Sequence, residues 1–263
     1  MCPHLLRLMS RKNSEKNIMP YNELAKFYDT LNYDIDYKEW ADYIDTLIDN
    51  FHPKTPSSIL DFACGTGTIT SLLYDYGYEI YGLDKSEAMI NVAKQKNNNI
   101  KFIKNNISDF KIDKKFDVVI STFDSINSIT NKKELLNTFT NIHRLLNKDG
   151  ILIFDINTEY GFKIIDGEFT YTKDNSGIFS VWTLEYDKIN KLAELFLTVF
   201  ERIEGSNYTR NDFLLKERIY SIKELKSLLQ KSGFKTLSIF DHLTFKPYKK
   251  KSFRVDFVAI KKE

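Results

Sequence analysis

Cysteine is scarce in this chain: 263 residues hold only Cys2 and Cys64, far apart in sequence. A disulfide framework is not what stabilises the fold, and a reducing, cytoplasmic setting is the expectation. Histidine is nearly as rare. His4, His52, His143 and His242 show no metal-ligand spacing and no neighbouring cysteine or carboxylate cluster, so no metal site is expected. An excess of charge of one sign is missing too. The 38 basic and 36 acidic residues leave a net charge of +2, which removes the bulk field that drives nonspecific binding to nucleic acid or membrane. Nor is there a long apolar run. The first stretch scatters Arg7, Arg11, Lys12 and Lys16 around an apolar patch too brief and too charged for an export signal or a membrane span. Residues 1–20 are expected to form a flexible extension, and Met19 marks a candidate alternative start.

What is present is enough apolar content, 42%, to bury one core with an appended subdomain, because single cores stop growing near ~250 to 300 residues. Leu24, Phe27, Tyr28 and Leu31, then Trp40, Tyr43, Ile44, Leu47 and Ile48, recur at helical intervals and predict two helices joined near Asn32 to Asp36. Ser57 to Ala63 is a compact apolar run that breaks into Cys64-Gly65-Thr66-Gly67, then Ile69, Leu72, Leu73 and Tyr76 at helical offsets up to Gly77. This spells strand, tight turn, helix. A second strand, Tyr78 to Asp84, precedes a helix capped by Ser86; a short third covers Ile100 to Lys104. Phe116 to Thr122 is apolar almost throughout, as a parallel strand covered on both faces requires. The stripe Leu135, Phe139, Ile142, Leu146 predicts a helix over Asn131 to Asn147, ended by Asp149-Gly150 before a fifth strand, Ile151 to Ile156.

Beyond Asn157 the rhythm shortens. Glu168 to Tyr171, Ile178 to Tyr186, Lys191 to Ile203 and Tyr208 to Arg218 read as an antiparallel insertion. A helix capped by Ser221 with Glu224 three residues on, and two strands, Lys235 to Asp241 and Ser252 to Ile260, close the chain around the basic loop Lys249 to Lys251. The fold class expected is α/β, a doubly wound, seven-stranded, mostly parallel Rossmann-like sheet with an antiparallel β insertion. Residues 21–162 and 219–263 make the main domain, and 163–218 the substrate-side insertion.

In Ile59-Leu60-Asp61-Phe62-Ala63-Cys64-Gly65-Thr66-Gly67 the two glycines stand where a strand reverses into a helix with nothing projecting toward a ligand, so the turn's amides are expected to face a cofactor. The third glycine of a dinucleotide fingerprint is replaced within Thr68-Ile69-Thr70, which disfavours pyrophosphate. Asp61, just before the turn, can orient the loop or reach a cationic amino group. Asp84 ends the next strand 17 residues after Gly67, where a carboxylate accepts both hydroxyls of an adenosine ribose. Taken singly, each feature also fits a plain tight connection.

Three segments in succession, Ile-Leu-Asp-Phe-Ala-Cys-Gly-Thr-Gly-Thr, Tyr-Gly-Leu-Asp-Lys-Ser-Glu-Ala-Met-Ile and Phe-Asp-Val-Val-Ile-Ser-Thr-Phe-Asp-Ser-Ile-Asn, resemble the motifs of class I S-adenosylmethionine-dependent methyltransferases. The likeness covers about residues 20 to 160 and, more loosely, the closing strands, which resemble that fold's reversed final hairpin. In detail the chain is similar to small bacterial enzymes acting on small molecules, including amino-sugar N-methyltransferases. The resemblance implies S-adenosylmethionine as cofactor, with Ala63, Gly65 and Gly67 shaping the bed of the methionine part and Asp61 helping to hold it. It implies Asp84 on the ribose, Lys85 and Met89 flanking adenine, and Asn106 with the Ile107 amide at its polar edge. Relatives commonly carry aspartate where Asn106 stands. Cys64 completes the turn as a small packed residue.

By the same resemblance Tyr21, Tyr28, Tyr37 and Trp40 form a lid, with Tyr28 the strongest functional candidate. Phe123-Asp124-Ser125-Ile126-Asn127-Ser128 lies at the carboxyl edge, with Phe123 against the cofactor. It lacks the Asn-Pro-Pro-Tyr or Asp-Pro-Pro-Tyr signature that resembles enzymes methylating bases or amide nitrogens. Some relatives place histidine or tyrosine where Ser128 stands, which leaves Asp124 and Tyr28 as catalytic candidates. Trp182, Tyr186, Arg210, Arg218 and Tyr220 of the insertion are candidate acceptor contacts, half of which must face elsewhere because strands alternate. The expected partner is a small-molecule acceptor methylated on nitrogen or oxygen, with no membrane and no nucleic acid, and the chain a monomer or homodimer. Two rivals stay open, an RNA- or protein-modifying methyltransferase and a noncatalytic cofactor-binding module.

Overall fold

The computed structural model describes residues 20–165 and 170–262. The expected extension over residues 1–20, with Met19, therefore lies outside the described residues apart from Pro20, which opens helix α1 (Pro20–Leu31). Proline suits a first helical position because its missing N–H would have no partner there. Asp36 caps α2 (Tyr37–Phe51) by accepting from the Glu39 amide.

The most continuous apolar runs become the centre of the sheet. β1 (Ser58–Phe62) is buried at every position, and β4 (Phe116–Ser121) at every position but Asp117. They pair in parallel, flanked by β2 (Glu79–Asp84) and β3 (Lys101–Lys104) on one side and β5 (Leu146–Asn157) on the other. β10 (Phe234–Asp241) and β11 (Arg254–Lys261) complete seven strands in the order β10-β11-β5-β4-β1-β2-β3. β11 runs antiparallel to both neighbours, the reversed hairpin expected from the sequence. The strand order reverses between β1 and β4, so their carboxyl ends part into a crevice.

Helices cover both faces. α2 packs on one face with α3 (Thr68–Asp75) and α4 (Glu87–Lys96), sharing a core that includes Ile44, Leu47, Leu73 and Ile90. The opposite face carries α5 (Lys132–Leu145) and α7 (Ile222–Lys231), with Phe139, Ile142, Leu225 and Leu229 against Leu152 and Phe257. Ser86, Asn131 and Ser221 supply side-chain caps.

A second, four-stranded antiparallel sheet follows: β6 (Thr170–Asn175), β7 (Ile178–Asp187), β8 (Leu192–Glu204) and β9 (Asn207–Arg218). The first strand differs from the Glu168 to Tyr171 expected. Ser176 and Gly177, both at positive φ, make a two-residue hairpin turn that pairs Asn175 with Ile178 and sets β6 further along the chain. Two other differences concern the main sheet. α5 ends at Leu145 rather than running to Asn147, because Leu146 is extended and already pairs with Phe116. A short helix, α6 (Glu159–Ile165), follows β5 and had no counterpart in the sequence reading. α1 belongs to this second layer: Leu24, Phe27 and Leu31 pack with Trp182, Leu197, Val199 and Phe213.

The glycine turn is shaped by one ring. The Phe102 side chain on β3 occupies the space where Gly67 and Gly82 would carry Cβ atoms, at 2.8 and 2.4 Å, and Gly67 sits at φ +74° besides. Gly82→Ala is expected to overpack this corner and cost about 1–3 kcal/mol in urea unfolding, with Phe102→Leu in the same chain recovering most of the loss. An unchanged unfolding midpoint in Gly82→Ala would contradict this account.

Candidate functional site

The crevice between β1 and β4 holds a cleft of about 790 Å³. Ala63 and Gly65 from the turn, Asp84 and Lys85 from the end of β2, Met89 from α4, Asn106 and Ile107 from the β3 loop, Phe123 from the β4 loop and Tyr28 from α1 all line it. Nine of the twelve cofactor candidates thus share one wall. Asp84 reaches across to the glycine turn: its Oδ2 accepts from the Gly65 amide at 3.0 Å and its Oδ1 from the Ser86 amide at 2.8 Å. Its remaining lone pairs are available to the cleft. Burial raises the Asp84 carboxyl above its ordinary value, and those two amides oppose the rise. Gly65, at φ +55°, has no atom within 4 Å of where a Cβ would stand, so its open side is free for a ligand.

One expectation about the turn needs correction. The amides of Cys64, Gly65 and Gly67 donate to Leu83 O, Asp84 Oδ2 and Cys64 O. At these three positions the turn offers shape and clearance, while its donors are spent inside the protein. Likewise, Asn106 Oδ1 already accepts from the Ser108 amide at 3.2 Å.

Asp61, Cys64 and Gly67 are absent from that wall. Gly67 lies against Phe102 and Ala93, beneath the turn. Cys64 lines a smaller adjoining space with Tyr28, Tyr37, Thr66, Thr68 and Thr122, which meets the main cleft at Ala63, Gly65, Phe123 and Ser125. Burial pushes the Cys64 thiol well above its ordinary value, so it is a packed, unreactive group. Asp61 is 1% exposed; its Oδ2 accepts from Thr70 Oγ1 at 2.6 Å, and its Oδ1 has no partner. Burial lifts its carboxyl to about 7, the nearby Asp84 adding to the rise and Thr70 opposing it.

α1 closes the cleft and is tied down at both ends. Asn22 Oδ1 accepts from Ser86 Oγ at 2.6 Å. Asp29 accepts from Thr66 Oγ1 at 2.6 Å and pairs with Lys96 at 2.7 Å. These ties present Tyr21 and Tyr28 to the cleft. Burial raises both hydroxyls, so each remains a proton donor. Trp40 is not part of this lid. It stacks behind Phe123 at 4.1 Å, with Tyr37 tilted against the same ring at 5.3 Å. Phe123 and Asp124 are two consecutive left-handed residues, at φ +55° and +49°, a costly backbone that the stack holds in place.

A second cavity of about 1200 Å³ lies on the far side of Tyr21, Tyr28 and Phe123. Its walls are apolar: Leu24 and Leu31 of α1, Phe162 of α6, and Trp182, Leu184, Leu195 and Leu215 of the second sheet. Asp124, Asn157, Glu217 and Arg254 supply its polar groups. Arg254 binds Asp124 at 2.6 Å, Asp155 at 2.8 Å and Asn157 at 3.1 Å. Asp155 Oδ2 also accepts the Asp124 amide at 2.8 Å, which fixes the left-handed turn. Burial raises the Asp155 carboxyl to about 6, the guanidinium pulling the other way.

Of the insertion candidates only Trp182 faces this cavity. Tyr186 bonds Glu159, Arg210 pairs with Asp212, Tyr220 donates to the Ile129 carbonyl, and Arg218 lies over the Tyr220 ring. Glu217, Arg254, Asp155 and Asn157 went unnoticed in the sequence. Only the alternation of β9 around Leu215 hinted at Glu217.

A model of the methyltransferase domain matches residues 54–233. The chain belongs to the methyltransferase family. It is an S-adenosylmethionine-dependent methyltransferase by kinship with a solved enzyme of that description from Clostridium acetobutylicum, which superposes with a TM-score of 0.81 at 27% identity over 92% of this chain and 99% of that one. A Geobacillus sp. (strain WCH70) chain with a provisional methyltransferase name is 30% identical over 92% of this methyltransferase and 100% of its own length. A ubiquinone/menaquinone biosynthesis C-methyltransferase of Campylobacter jejuni is 25% identical over 96% of this chain and 99% of its own. The sugar N-methyltransferase KedS8 of a Streptoalloteichus species shares the fold, with a TM-score of 0.75 at 19% identity over 90% and 93% of the two chains.

Because folding raises the Asp61 carboxyl to about 7, the native enzyme keeps a proton that the unfolded chain releases near its ordinary value, so stability falls as pH rises through that window. Asp61→Asn is expected to flatten that part of the stability–pH profile and to raise the melting temperature of the ligand-free protein at neutral pH by roughly 2–4 °C. A profile with unchanged slope would refute it.

Proposed function

We propose that this methyltransferase transfers a methyl group in line to a nitrogen or oxygen of a small molecule held in the cavity between α1 and the second sheet. The observation that carries the reading is adjacency: Tyr21, Tyr28 and Phe123 line both that cavity and the cofactor cleft, so the two spaces adjoin at these three side chains. A concave space with mostly apolar walls suits a metabolite better than a chain of phosphates. Its one cation, Arg254, is already neutralised by Asp124 and Asp155, which weighs against RNA. The open space beside the shared wall weighs against a noncatalytic module.

The residues present fit the cofactor. Asp84 would hold the ribose hydroxyls, Met89 and Lys85 would flank the adenine, and Asn106 with the Ile107 amide would meet its edge. Ala63, Gly65 and Phe123 would bed the sulfonium end, with Tyr28 over it. Cys64 and Gly67 shape the turn from beneath, and the orphaned Asp61 oxygen suits the methionyl ammonium. When bound, S-adenosylmethionine supplies an electrophilic methyl whose transfer disperses charge, so positioning does most of the work. The aromatic faces of Tyr28 and Phe123 stabilise positive charge between them, and α1 excludes water. The free thiol of Cys64 beside the cofactor turn suits a reducing, cytoplasmic setting.

S-adenosylhomocysteine is expected to raise the melting temperature, and Asp84→Ala to weaken its binding about 100-fold by calorimetry through loss of two charge-assisted hydrogen bonds. Formation of S-adenosylhomocysteine across a panel of small amines and alcohols tests the transfer itself. A cofactor that leaves the melting curve unmoved would sink the reading.

A further inference from the structure

The acceptor cavity contains more acid than base. Asp124 and Asp155 share one guanidinium: Arg254 meets Asp124 Oδ1 at 2.6 Å and Asp155 Oδ2 at 2.8 Å. Glu217, from β9, has no cation of its own. Although the residue as a whole is half-buried because it lines the cavity, its Oε2 is sealed from solvent and has no hydrogen-bond partner. The groups facing it come from every element around it: Asp124 from the β4 loop, Asn157 from β5, Arg254 from β11 and Tyr21 from α1. Burial, then the charge of Asp124 and a hydrogen bond with its carboxyl, push the Glu217 carboxyl well above its ordinary value, with the Arg254 charge and an Asn157 hydrogen bond pulling the other way. A buried carboxyl oxygen without a partner costs stability unless something compensates it, and a site that tolerates one is a candidate for function.

Resting on the methyltransferase reading above, we propose that Glu217 is the catalytic residue that receives the acceptor, binding it as a protonated amine at the polar end of a largely apolar cavity and taking the proton that its nitrogen must lose. Neither earlier candidate suits that task. Asp124 is engaged by Arg254, and the buried Tyr28 hydroxyl keeps its proton. The apolar walls would hold a hydrocarbon ring, and the uncompensated acid would hold its ammonium. Burial favours the protonated form of Glu217 in the empty cavity. An arriving ammonium replaces the proton, which leaves to solvent. The Glu217 carboxylate then takes one N–H proton, and the freed lone pair forms the N–CH3 bond while the S–CH3 bond breaks with its electron pair remaining on sulfur. The products are a methylated ammonium and the thioether, with Glu217 left protonated as it was before the amine arrived. A hydroxyl acceptor brings no positive charge and displaces no proton.

The test uses the full chain saturated with S-adenosylhomocysteine, titrated near neutral pH with cyclohexylamine and with 4-aminocyclohexanol, in phosphate and in MOPS, whose ionisation heats differ. The expected result is release of about one proton per amine bound, read from the buffer dependence of the heat. In Glu217→Gln the release disappears and amine affinity falls at least roughly tenfold, while affinity for S-adenosylhomocysteine stays near wild type and the melting temperature does not fall. Glu217→Asp restores the proton release, which a merely structural role would not do. Proton release persisting in Glu217→Gln, undiminished amine binding in that variant, the same release with cyclohexanol, or no binding of either amine would each overturn the assignment. Failure of the wild-type chain to bind S-adenosylhomocysteine would instead overturn the methyltransferase reading, so the two failures are distinct.

Discussion

Two consecutive residues with side chains, Phe123 and Asp124, are held in the left-handed region at the carboxyl end of β4, and the site is arranged around the forces that keep them there. Such a pair costs about 1–3 kcal/mol per residue against a relaxed turn. Trp40 stacked on the Phe123 ring, and Arg254 with Asp155 gripping the side chain and amide of Asp124, offset it. The effect is to turn Phe123 into the wall shared by the main cleft, its smaller annex and the second cavity. Without that bend the three spaces would not meet at one ring.

How much of this was legible follows from how far apart the interacting residues lie. The glycine turn and Asp84 are one β-α-β unit, so chain connectivity alone brings them together, and the Gly65 amide to Asp84 bond spans only 19 positions. The strands declared themselves for a similar reason: runs such as Phe116 to Thr122 have no polar face to offer water. Arg254 and Asp124 are 130 residues apart, and an arginine after a lysine-rich loop carries no local mark of its partner. Glu217 sits in a strand whose alternation says which residues share a face but not which face meets a cavity. The role of Trp40 was misread because helical spacing establishes burial and leaves open whether the neighbour is a ligand or a ring. The amides of the glycine turn were misassigned for a related reason: glycine spacing reveals clearance, whereas the destination of each N–H depends on the strand alongside.

The distribution of carboxylates divides the labour. Asp84 is steadied by two amides, Asp61 by one hydroxyl, Asp124 and Asp155 by one guanidinium, and Glu217 by weak neighbours. Desolvation acts on nearly all of them, so what differs is how much compensation each receives. The second sheet contributes in the same currency, since its inner face supplies both the apolar ceiling of the cavity and, at one position, its acid.

Helix α1 is fastened to the cofactor bed through Asn22 and Asp29, yet its opposite face is sewn into the core of the second sheet through Leu24, Phe27 and Leu31. A single helix therefore walls two rooms. Because both faces belong to one helix, a displacement of that wall would alter the two spaces at once.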